Sequence, residues 1–277
     1  MDRVASFAGS FYPAAADELD GLIDRFFQGI HQIQNDSQLL GLIVPHAGYV
    51  YSGSSAAYAY KHLQDRDIKR VFLIAPSHRG GQSPFSALSY DKLKTPLGDL
   101  QVDTKIVEAL NQDRNFYFNA FYDKQEHSLE VQLPFIYKVL PKAQIIPIIF
   151  NQQTHDNALW LADVLEPFIS EDLEHNLIIV STDLSHYYQA EIAEKMDFQA
   201  IELIRQFDSQ KFIEEVKKGA IEACGFGGII FLMEMAKRLA FKKTTLLHYT
   251  HSGQVTHDNI QVVGYASLSF ERMENDR

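Results

Sequence analysis

The sequence predicts an α/β sandwich, and two observations carry this prediction. Apolar runs of strand length alternate along the chain with amphipathic stretches of helix length, which is the order expected when helices cover a sheet. Three of the apolar runs also stop abruptly at a turn that holds a histidine. Because its 277 residues contain no internal repeat, linker or low-complexity tract, we expect a single domain spanning residues 1–277.

Elements of the first half are predicted from apolar periodicity and from turn residues. In order, they are a helix at Ala14–Gln28, a polar loop at Gln32–Ser37, a strand at Leu39–Val44, a helix at Ser54–Leu63, a strand at Arg70–Ala75, a hairpin-like insertion between Ser86 and Val102, and a helix at 104–112 capped by Asp103.

Elements of the second half continue the alternation. In order, they are a helical stretch at Leu129–Leu140 that Pro134 kinks or adjusts, a strand at Ala143–Phe150, a helix at Asn157–Ile169, a strand at Leu177–Val180, helices at about 189–206 and 209–218, a helix that follows Cys224 and ends near 240, and closing strands at Thr244–Tyr249 and Val262–Phe270. Apolar continuity in Ala143–Phe150 indicates a strand buried on both faces.

Composition excludes several classes of function. The net charge of −11, with no basic run longer than a pair such as Lys217-Lys218, disfavours a nucleic-acid surface. No apolar run approaches the ~20 residues that span a bilayer, and the N-terminus does not resemble a signal peptide. The lone Cys224 cannot form an intramolecular disulfide. We therefore expect a cytoplasmic protein without membrane or nucleic-acid partners.

Three histidines stand where a ligand pocket is expected. His46, His78 and His186 each lie just past the end of an apolar strand. The carboxyl ends of strands in α/β sheets form the edge where ligands bind, so we expect the three imidazoles to converge on one cleft. Neutral imidazole is the commonest metal ligand and also the usual general base near neutral pH.

Cys224 is the natural partner of these histidines. It precedes a glycine-rich turn and a predicted helix, and amides at a helix start lower the pKa of a thiol. A thiolate here would ligate a metal or attack an electrophile. The alternative is a small buried apolar residue, which is the commonest role of a free cysteine.

Further polar residues are candidates for the same pocket. Asp183 precedes His186 by three residues, so its carboxylate is expected either to orient that imidazole or to cap the following turn. His127 and Glu130 share one helical face, and His251 lies in a polar turn after a strand. For these residues, pocket lining and local hydrogen bonding remain alternatives.

A set of short motifs gives the chain a resemblance to a known family. In order along residues 5–255 they are ASFAGSFYP, PHAGYVYSG, APSH, TPLGDLQVD, EHSLEVQLPF, STDLSHY, ACGFGG and HSGQV. This set resembles the Memo family, whose bacterial and archaeal members are called AmmeMemoRadiSam system protein B, and which is similar in fold to class III extradiol dioxygenases. The resemblance implies a three-layer sandwich whose central sheet, mostly parallel or mixed, has helices on both faces.

The resemblance also implies a site. The family's metal-binding positions match His46, His78 and Cys224, while Asp183 and His186 line the same pocket. The dioxygenases hold Fe(II) with two histidines and a carboxylate. Here a cysteine takes the place of the carboxylate, so iron is expected with copper and zinc as competitors. Tyr49, in the motif of His46, is expected beside His127, Glu130 and His251 in the pocket.

Three functions follow from these residues. The first is a non-haem metal-dependent oxidoreductase of dioxygenase type on a small or aromatic substrate, with His186 and Asp183 handling protons. The second is a metal-free enzyme with Cys224 as nucleophile and His46 or His186 as base. The third is a non-catalytic module that binds a peptide or small ligand. The family name also implies a functional association with a radical-SAM protein.

Overall fold

A computed structural model describes residues 1–31 and 37–273. Its helices are α1 (Ala16–Phe27), α2 (Tyr49–Lys61), α3 (Thr104–Leu110), α4 (Ala120–Asp123), α5 (Leu133–Val139), α6 (His155–Ser170), α7 (Ala190–Arg205), α8 (Ser209–Lys217), α9 (Phe226–Arg238) and α10 (Gly253–Thr256). A single 3-10 turn at Glu130–Gln132 leads into α5, whose first turn holds Pro134. Proline therefore begins this helix instead of kinking it, since the first turn needs no N–H donor.

The strands of the described residues form one sheet. They are β1 (Ser37–Val44), β2 (Arg70–Pro76), β3 (Phe85–Ala87), β4 (Lys92–Thr95), β5 (Gly98–Val102), β6 (Gln144–Phe150), β7 (Asn176–Ser181), β8 (His186–Tyr188), β9 (Lys243–His251) and β10 (Val262–Met273). The order is β4-β5-β6-β2-β7-β1-β10-β8, with β3 paired to β6 and β9 paired to β10. The five strands from β5 to β1 in this order are parallel, and the remaining pairings are antiparallel.

Helices cover the sheet on both faces, which confirms the predicted α/β sandwich. α1, α2 and α5 pack together on one face, and α6, α8 and α9 pack together on the other. Gly41 of β1 shows how closely α9 approaches, because an added Cβ would lie 2.8 Å from the Leu232 side chain and 2.9 Å from the Ile178 carbonyl oxygen. The central strands are buried on both faces and carry continuous apolar runs.

The parallel arrangement places three chain turns side by side. β2, β7 and β1 are neighbours in the sheet and run in the same direction, so their carboxyl ends lie at one edge. The turns that follow them carry His78, Asp183 and His46 respectively. The fold thus concentrates polar side chains at a single edge of an otherwise apolar sheet.

Most predicted boundaries agree with the structure within a few residues, with one larger difference. α2 begins at Tyr49 rather than at Ser54, because the turn after His46 passes straight into the helix. Asp103 caps α3 as predicted, its carboxylate accepting the N–H of Ile106 at 3.2 Å. The predicted loop Gln32–Ser37 lies outside the described residues except for Ser37. In the part of the chain that is described, no helix combines the length and apolarity needed to cross a membrane.

Candidate metal centre

His46 is held in one tautomer by its neighbours. Its ring Nδ1 lies 2.9 Å from the hydroxyl oxygen of Ser181, the last residue of β7. That hydroxyl donates its only hydrogen to the carbonyl oxygen of Ser128 at 2.7 Å, so it can only accept from the imidazole. The buried His46 ring therefore carries its hydrogen on Nδ1 and presents the lone pair of Nε2.

His78 is held in the same way by a carboxylate. Its Nδ1 lies 2.9 Å from Oε1 of the buried Glu126, and its backbone N–H donates to Oε2 of the same side chain at 2.5 Å. Burial alone raises the pKa of Glu126, but hydrogen bonds from His78 and its charge outweigh burial and lower that pKa to about 2. An ionised carboxylate on Nδ1 leaves Nε2 of His78 as the ligand atom.

Cys224 lies in the loop before α9, which places its sulfur beside these histidines. Its sulfur lies 3.2 Å from Nε2 of His46 and accepts the backbone N–H of Asp183 at 3.1 Å. The following residue must be small, because a Cβ on Gly225 would lie 2.6 Å from the carbonyl oxygen of Ser181. The loop can therefore pack against the end of β7 and bring the sulfur to the histidine turns.

The resulting donor set fits a metal ion. One ligand atom each from His46, His78 and Cys224 lies within 4.8 Å of the other two. With bonds of about 2.0–2.1 Å to nitrogen and 2.3 Å to sulfur, a tetrahedral site has ligand atoms roughly 3.5 Å apart. The 3.2 Å between Sγ of Cys224 and Nε2 of His46 is within a few tenths of an ångström of that value. The three side chains thus form a group that could hold a metal ion.

The thiol of Cys224 is not activated by the helix, so that expectation was wrong. The amides at the start of α9 donate elsewhere: Gly225 N–H to the hydroxyl of Thr182 and Gly227 N–H to the side chain of Gln153, both at 2.8 Å. Burial, followed by the nearby charge of Asp183, raises the pKa of the Cys224 thiol well above its usual range. Deprotonation at neutral pH therefore needs a cation beside the sulfur.

The pKa values of the imidazoles are shifted in different directions. Burial and the proximity of His78 lower the pKa of His46 to about 3, while burial and the proximity of His46 lower the pKa of His127 to about 4. Burial also opposes protonation of His78, but Glu126 outweighs it and raises the pKa of His78. His46 and His127 are therefore neutral at pH 7, and His46 thus meets the requirement that a metal-bound histidine be neutral.

A second group of donors overlaps the first. His78, Glu126 and His127 also offer ligand atoms within 4.8 Å of one another. Oε1 of Glu126 already accepts from the His78 ring and from the Ser128 N–H at 3.1 Å, and Oε2 accepts from the His78 backbone. The carboxylate therefore acts as the hydrogen-bond partner that orients His78.

Asp183 and His186 lie at the same edge but are not paired as expected. The carboxylate of Asp183 accepts the backbone N–H of His46 at 2.7 Å, and burial raises its pKa. Within residues 1–31 and 37–273 no hydrogen bond joins it to the ring of His186. His186 begins β8, where its own N–H donates to Glu222 at 3.2 Å. Asp183 therefore shapes the His46 turn, and its role in orienting the His186 ring stays a prediction.

A cavity of about 440 Å³ opens beside the donor set. Its lining residues are Ser10, Phe11, His46, Ala47, Gly48, Tyr51, His78, His127, Asp183, His186, Tyr187, Val263 and Tyr265. The structure thus brings His46, His78, His127, Asp183 and His186 to one space. The ring of Tyr187 is 70% exposed at this cavity, on a backbone with φ of +66°.

Three residues predicted for the pocket lie behind its wall. Tyr49 is buried and donates its hydroxyl to the Val131 carbonyl at 2.8 Å. Glu130 is fully buried and binds the N-terminal segment. His251 is buried beside α10, where its Nδ1 accepts the N–H of Gly253 at 3.1 Å. In each case a hydrogen bond takes up the polar group that was expected to face the ligand; it is local for His251 and long-range in sequence for Tyr49 and Glu130.

Other residues that line the cavity or contact His46 were not assigned to the site from the sequence. Ser181 ends an apolar strand, and only its position at the strand's carboxyl end signals a site. Phe11 belongs to the aromatic N-terminal motif, but nothing local shows that this motif reaches a pocket. Tyr265 lies within β10, where alternation explains its burial equally well.

The molecule is an α/β sandwich with a histidine-lined cavity at the carboxyl edge of its sheet, beside a group of His46, His78 and Cys224 that could hold a metal ion. A sequence profile described as Memo-like protein matches residues 3–269. Relatives described as MEMO1 family proteins occur in Methanosarcina mazei (34% identical, covering 97% of this chain and 99% of the relative), Nitrosopumilus maritimus (33%, 98% and 100%) and Methanococcoides burtonii (35%, 96% and 98%). The chain belongs to the Memo-like family.

Proposed function

We propose that this protein is a metal-dependent oxidoreductase in which His46, His78 and Cys224 hold one iron ion. The observation that carries the proposal is the orientation of the two imidazoles. Each ring is fixed through Nδ1, by Ser181 or by Glu126, so that Nε2 is left as the ligand atom. Hydrogen bonds of this kind from the non-ligating nitrogen accompany almost every metal-bound histidine.

The cavity provides the room for a small-molecule substrate. Its volume of about 440 Å³ lies within the usual range of ligand sites. Two of the proposed ligands, His46 and His78, line the same cavity as His186, so a substrate in this cavity would lie beside the donor set. When bound, the metal supplies Lewis-acid and redox chemistry.

Protons are handled by the histidine outside the donor set. His186 lines the cavity, is anchored through its backbone to Glu222, and makes no bond to the carboxylate of Asp183 within the described residues. We assign it the role of acid and base toward the substrate. Asp183 acts indirectly, because its carboxylate fixes the backbone of His46.

The choice of iron rests on the expected chemistry and is open to direct measurement. Two nitrogens and one sulfur also suit copper and zinc, and affinity alone favours copper over iron in most sites. Iron is nevertheless the proposal, because the family resembles non-haem iron enzymes. Elemental analysis of protein purified without added metal separates the three metals.

The metal-free cysteine enzyme has less support. A nucleophilic thiolate needs a lowered pKa, whereas burial raises the pKa of Cys224. A ligand-binding module remains the second candidate, because the exposed rings of Tyr51 and Tyr187 flank the cavity and suit contact with a peptide or small ligand. Turnover by the metal-loaded protein would favour the first proposal over this one.

The experiment compares metal content in four proteins. Wild type and His175→Ala, a matched histidine variant away from the site, should each carry about one metal ion per chain, as a single mononuclear site requires. His46→Ala and His78→Ala should lose stoichiometric metal while remaining folded by circular dichroism. Unchanged metal content in either of these variants would contradict the ligand assignment.

A further inference from the structure

The N-terminal segment, residues 3–12, crosses from the edge of the sheet to the cavity, and we call it the N-terminal strap. It starts at β4, where the Arg3 N–H donates to the Lys92 carbonyl at 2.9 Å. It ends near α2, where the Phe11 carbonyl accepts the N–H of Tyr49 at 2.8 Å. Between these points most of the strap is not part of the sheet, so side chains must hold it.

Arg3 anchors the start of the strap. Its side chain is 0% exposed, which is rare for arginine unless every donor is paired. The guanidinium Nε lies 3.0 Å from the Asp123 carboxylate, and Nη2 donates to the carbonyls of Asp123 and Glu126 at 3.1 and 3.0 Å. Nη1 donates to the carboxylate of Glu130.

Glu130 anchors the remainder of the N-terminal strap. Oε2 of this fully buried carboxylate accepts the Ser6 N–H at 3.0 Å in addition to the Arg3 guanidinium. Oε1 accepts the Phe7 N–H at 2.6 Å and the Tyr12 hydroxyl at 2.7 Å. One side chain therefore binds the beginning, middle and end of the strap.

The anchored strap forms part of the cavity wall. Ser10 and Phe11 line the cavity, and the Phe11 ring packs on the His127 ring with centroids 4.6 Å apart. His127 in turn lies 4.7 Å from the His78 ring and 5.4 Å from the His46 ring. A continuous set of ring contacts thus connects the strap with two members of the donor set.

We propose that Glu130 is a positioning residue, which acts through the strap to place Phe11 as a wall that limits access to the metal and selects what enters the cavity. The inference rests on the proposed function. The positions involved are distinct from the ligands, since Glu130 lies behind the wall and the imidazole on which the Phe11 ring packs is that of His127. Releasing the strap would uncover the His127 side of the donor set.

The test uses Glu130→Gln and Phe11→Ala. An amide nitrogen cannot accept a hydrogen bond, so glutamine at 130 must leave some of the four strap donors without an acceptor. Phe11→Ala removes the wall but keeps the anchor. Asp91→Asn is the matched control, because Asp91 also binds the N-terminus, through the Met1 amino group, but does so at the exposed surface.

Two measurements distinguish anchoring of the strap by Glu130 from the wall that Phe11 forms. Amide hydrogen exchange at Ser6 and Phe7 reports the anchor, and the rate of zinc transfer from the loaded protein to EDTA reports access to the donor set. Glu130→Gln should accelerate both, the transfer by at least ~10-fold, on the scale of lost outer-shell contacts. Phe11→Ala should accelerate transfer but leave exchange at Phe7 near wild type, and Asp91→Asn should change neither.

Zinc transfer at the wild-type rate in both Glu130→Gln and Phe11→Ala would overturn the proposal. If Glu130→Gln does not fold, Phe11→Ala alone decides whether the strap limits access. Wild-type protein that binds no zinc would refute the proposed function instead. Exchange at Ser6 and Phe7 would then still test the anchor, and unchanged exchange in Glu130→Gln would refute it.

Discussion

Ser181→Ala tests whether a single buried hydroxyl organises the donor set. The Ser181 oxygen accepts from the His46 ring at 2.9 Å and from the Gln132 amide at 2.8 Å, and its hydrogen goes to the Ser128 carbonyl. All four residues are buried. Alanine keeps the strand geometry of β7 but leaves two buried donors and one carbonyl without this partner.

The number of buried donors that lose their acceptor determines how much stability Ser181→Ala should lose. Each buried donor left unsatisfied costs about 1–3 kcal/mol, so two donors predict a loss of about 2–6 kcal/mol in the free energy of unfolding. The His46 ring also loses the bond that fixes its tautomer, and removal of such outer contacts typically weakens metal binding by about 10–100-fold. Both effects are expected from one missing oxygen atom.

The assay combines urea denaturation of the metal-free protein with chelator competition for zinc. Ser267→Ala is the matched control, because Ser267 is also fully buried and donates one hydrogen bond, to the Ser55 carbonyl at 2.6 Å, but does not contact the donor set. It should lose stability and keep zinc affinity. Wild-type zinc affinity in Ser181→Ala would refute the claim that this hydroxyl orients His46.

Three further outcomes are expected. Cys224→Ser should weaken metal binding at least ~10-fold, measured by chelator competition, because a neutral hydroxyl replaces a thiolate ligand; equal affinity would remove sulfur from the donor set. His186→Gln should keep wild-type metal content and lower any turnover by at least ~100-fold, and lost metal would make His186 a ligand. Burial raises the pKa of Glu271, but its contact with His62 at 3.0 Å and further hydrogen bonds outweigh burial and lower that pKa to about 2 from 4.5. The stabilisation by the Glu271 carboxylate is therefore complete above pH 4.5 and lost as the pH falls toward 2. Glu271→Gln should reduce the fall in melting temperature between pH 4.5 and pH 2, and a fall as steep as that of the wild type would contradict this pairing.

The fold was predictable because short stretches of sequence determine its individual strands and helices, and several of these stretches indicate the same architecture. Buried parallel strands need continuous apolar runs, and each such run in the sequence became a strand within one or two residues of its predicted ends. The start of α2 was missed because Gly48-Tyr49 carries no capping side chain, so nothing in the local sequence marks the helix boundary. Its true position follows from tertiary contact, since the Tyr49 N–H donates to the strap.

The site was predictable where strand ends deliver the residues. His46, His78 and His186 follow strands, and the parallel sheet brings those ends together. The pocket roles of Glu130 and Tyr49 could not be judged in this way. Which face of a turn or helix meets the cavity depends on partners more than 80 residues away, such as Arg3 for Glu130 and Val131 for Tyr49.

The pKa of the Cys224 thiol also depends on residues that are distant in the sequence, so it could not be predicted from the local motif. A cysteine before a helix predicts a lowered thiol pKa, but that effect requires free amides at the helix start. Thr182 and Gln153, which come from distant parts of the chain, accept those N–H groups. Desolvation then dominates and raises the thiol pKa, so under the proposed function the thiol would ionise only beside a cation.

X-ray absorption at the metal edge of the iron- or zinc-loaded protein tests the central claim most directly. A donor set of His46, His78 and Cys224 predicts one sulfur at about 2.3 Å and histidine nitrogens at about 2.0–2.1 Å. The sulfur shell should disappear in Cys224→Ser loaded at a metal concentration that offsets its weaker binding. A spectrum with only oxygen and nitrogen ligands in the wild-type protein would contradict the account.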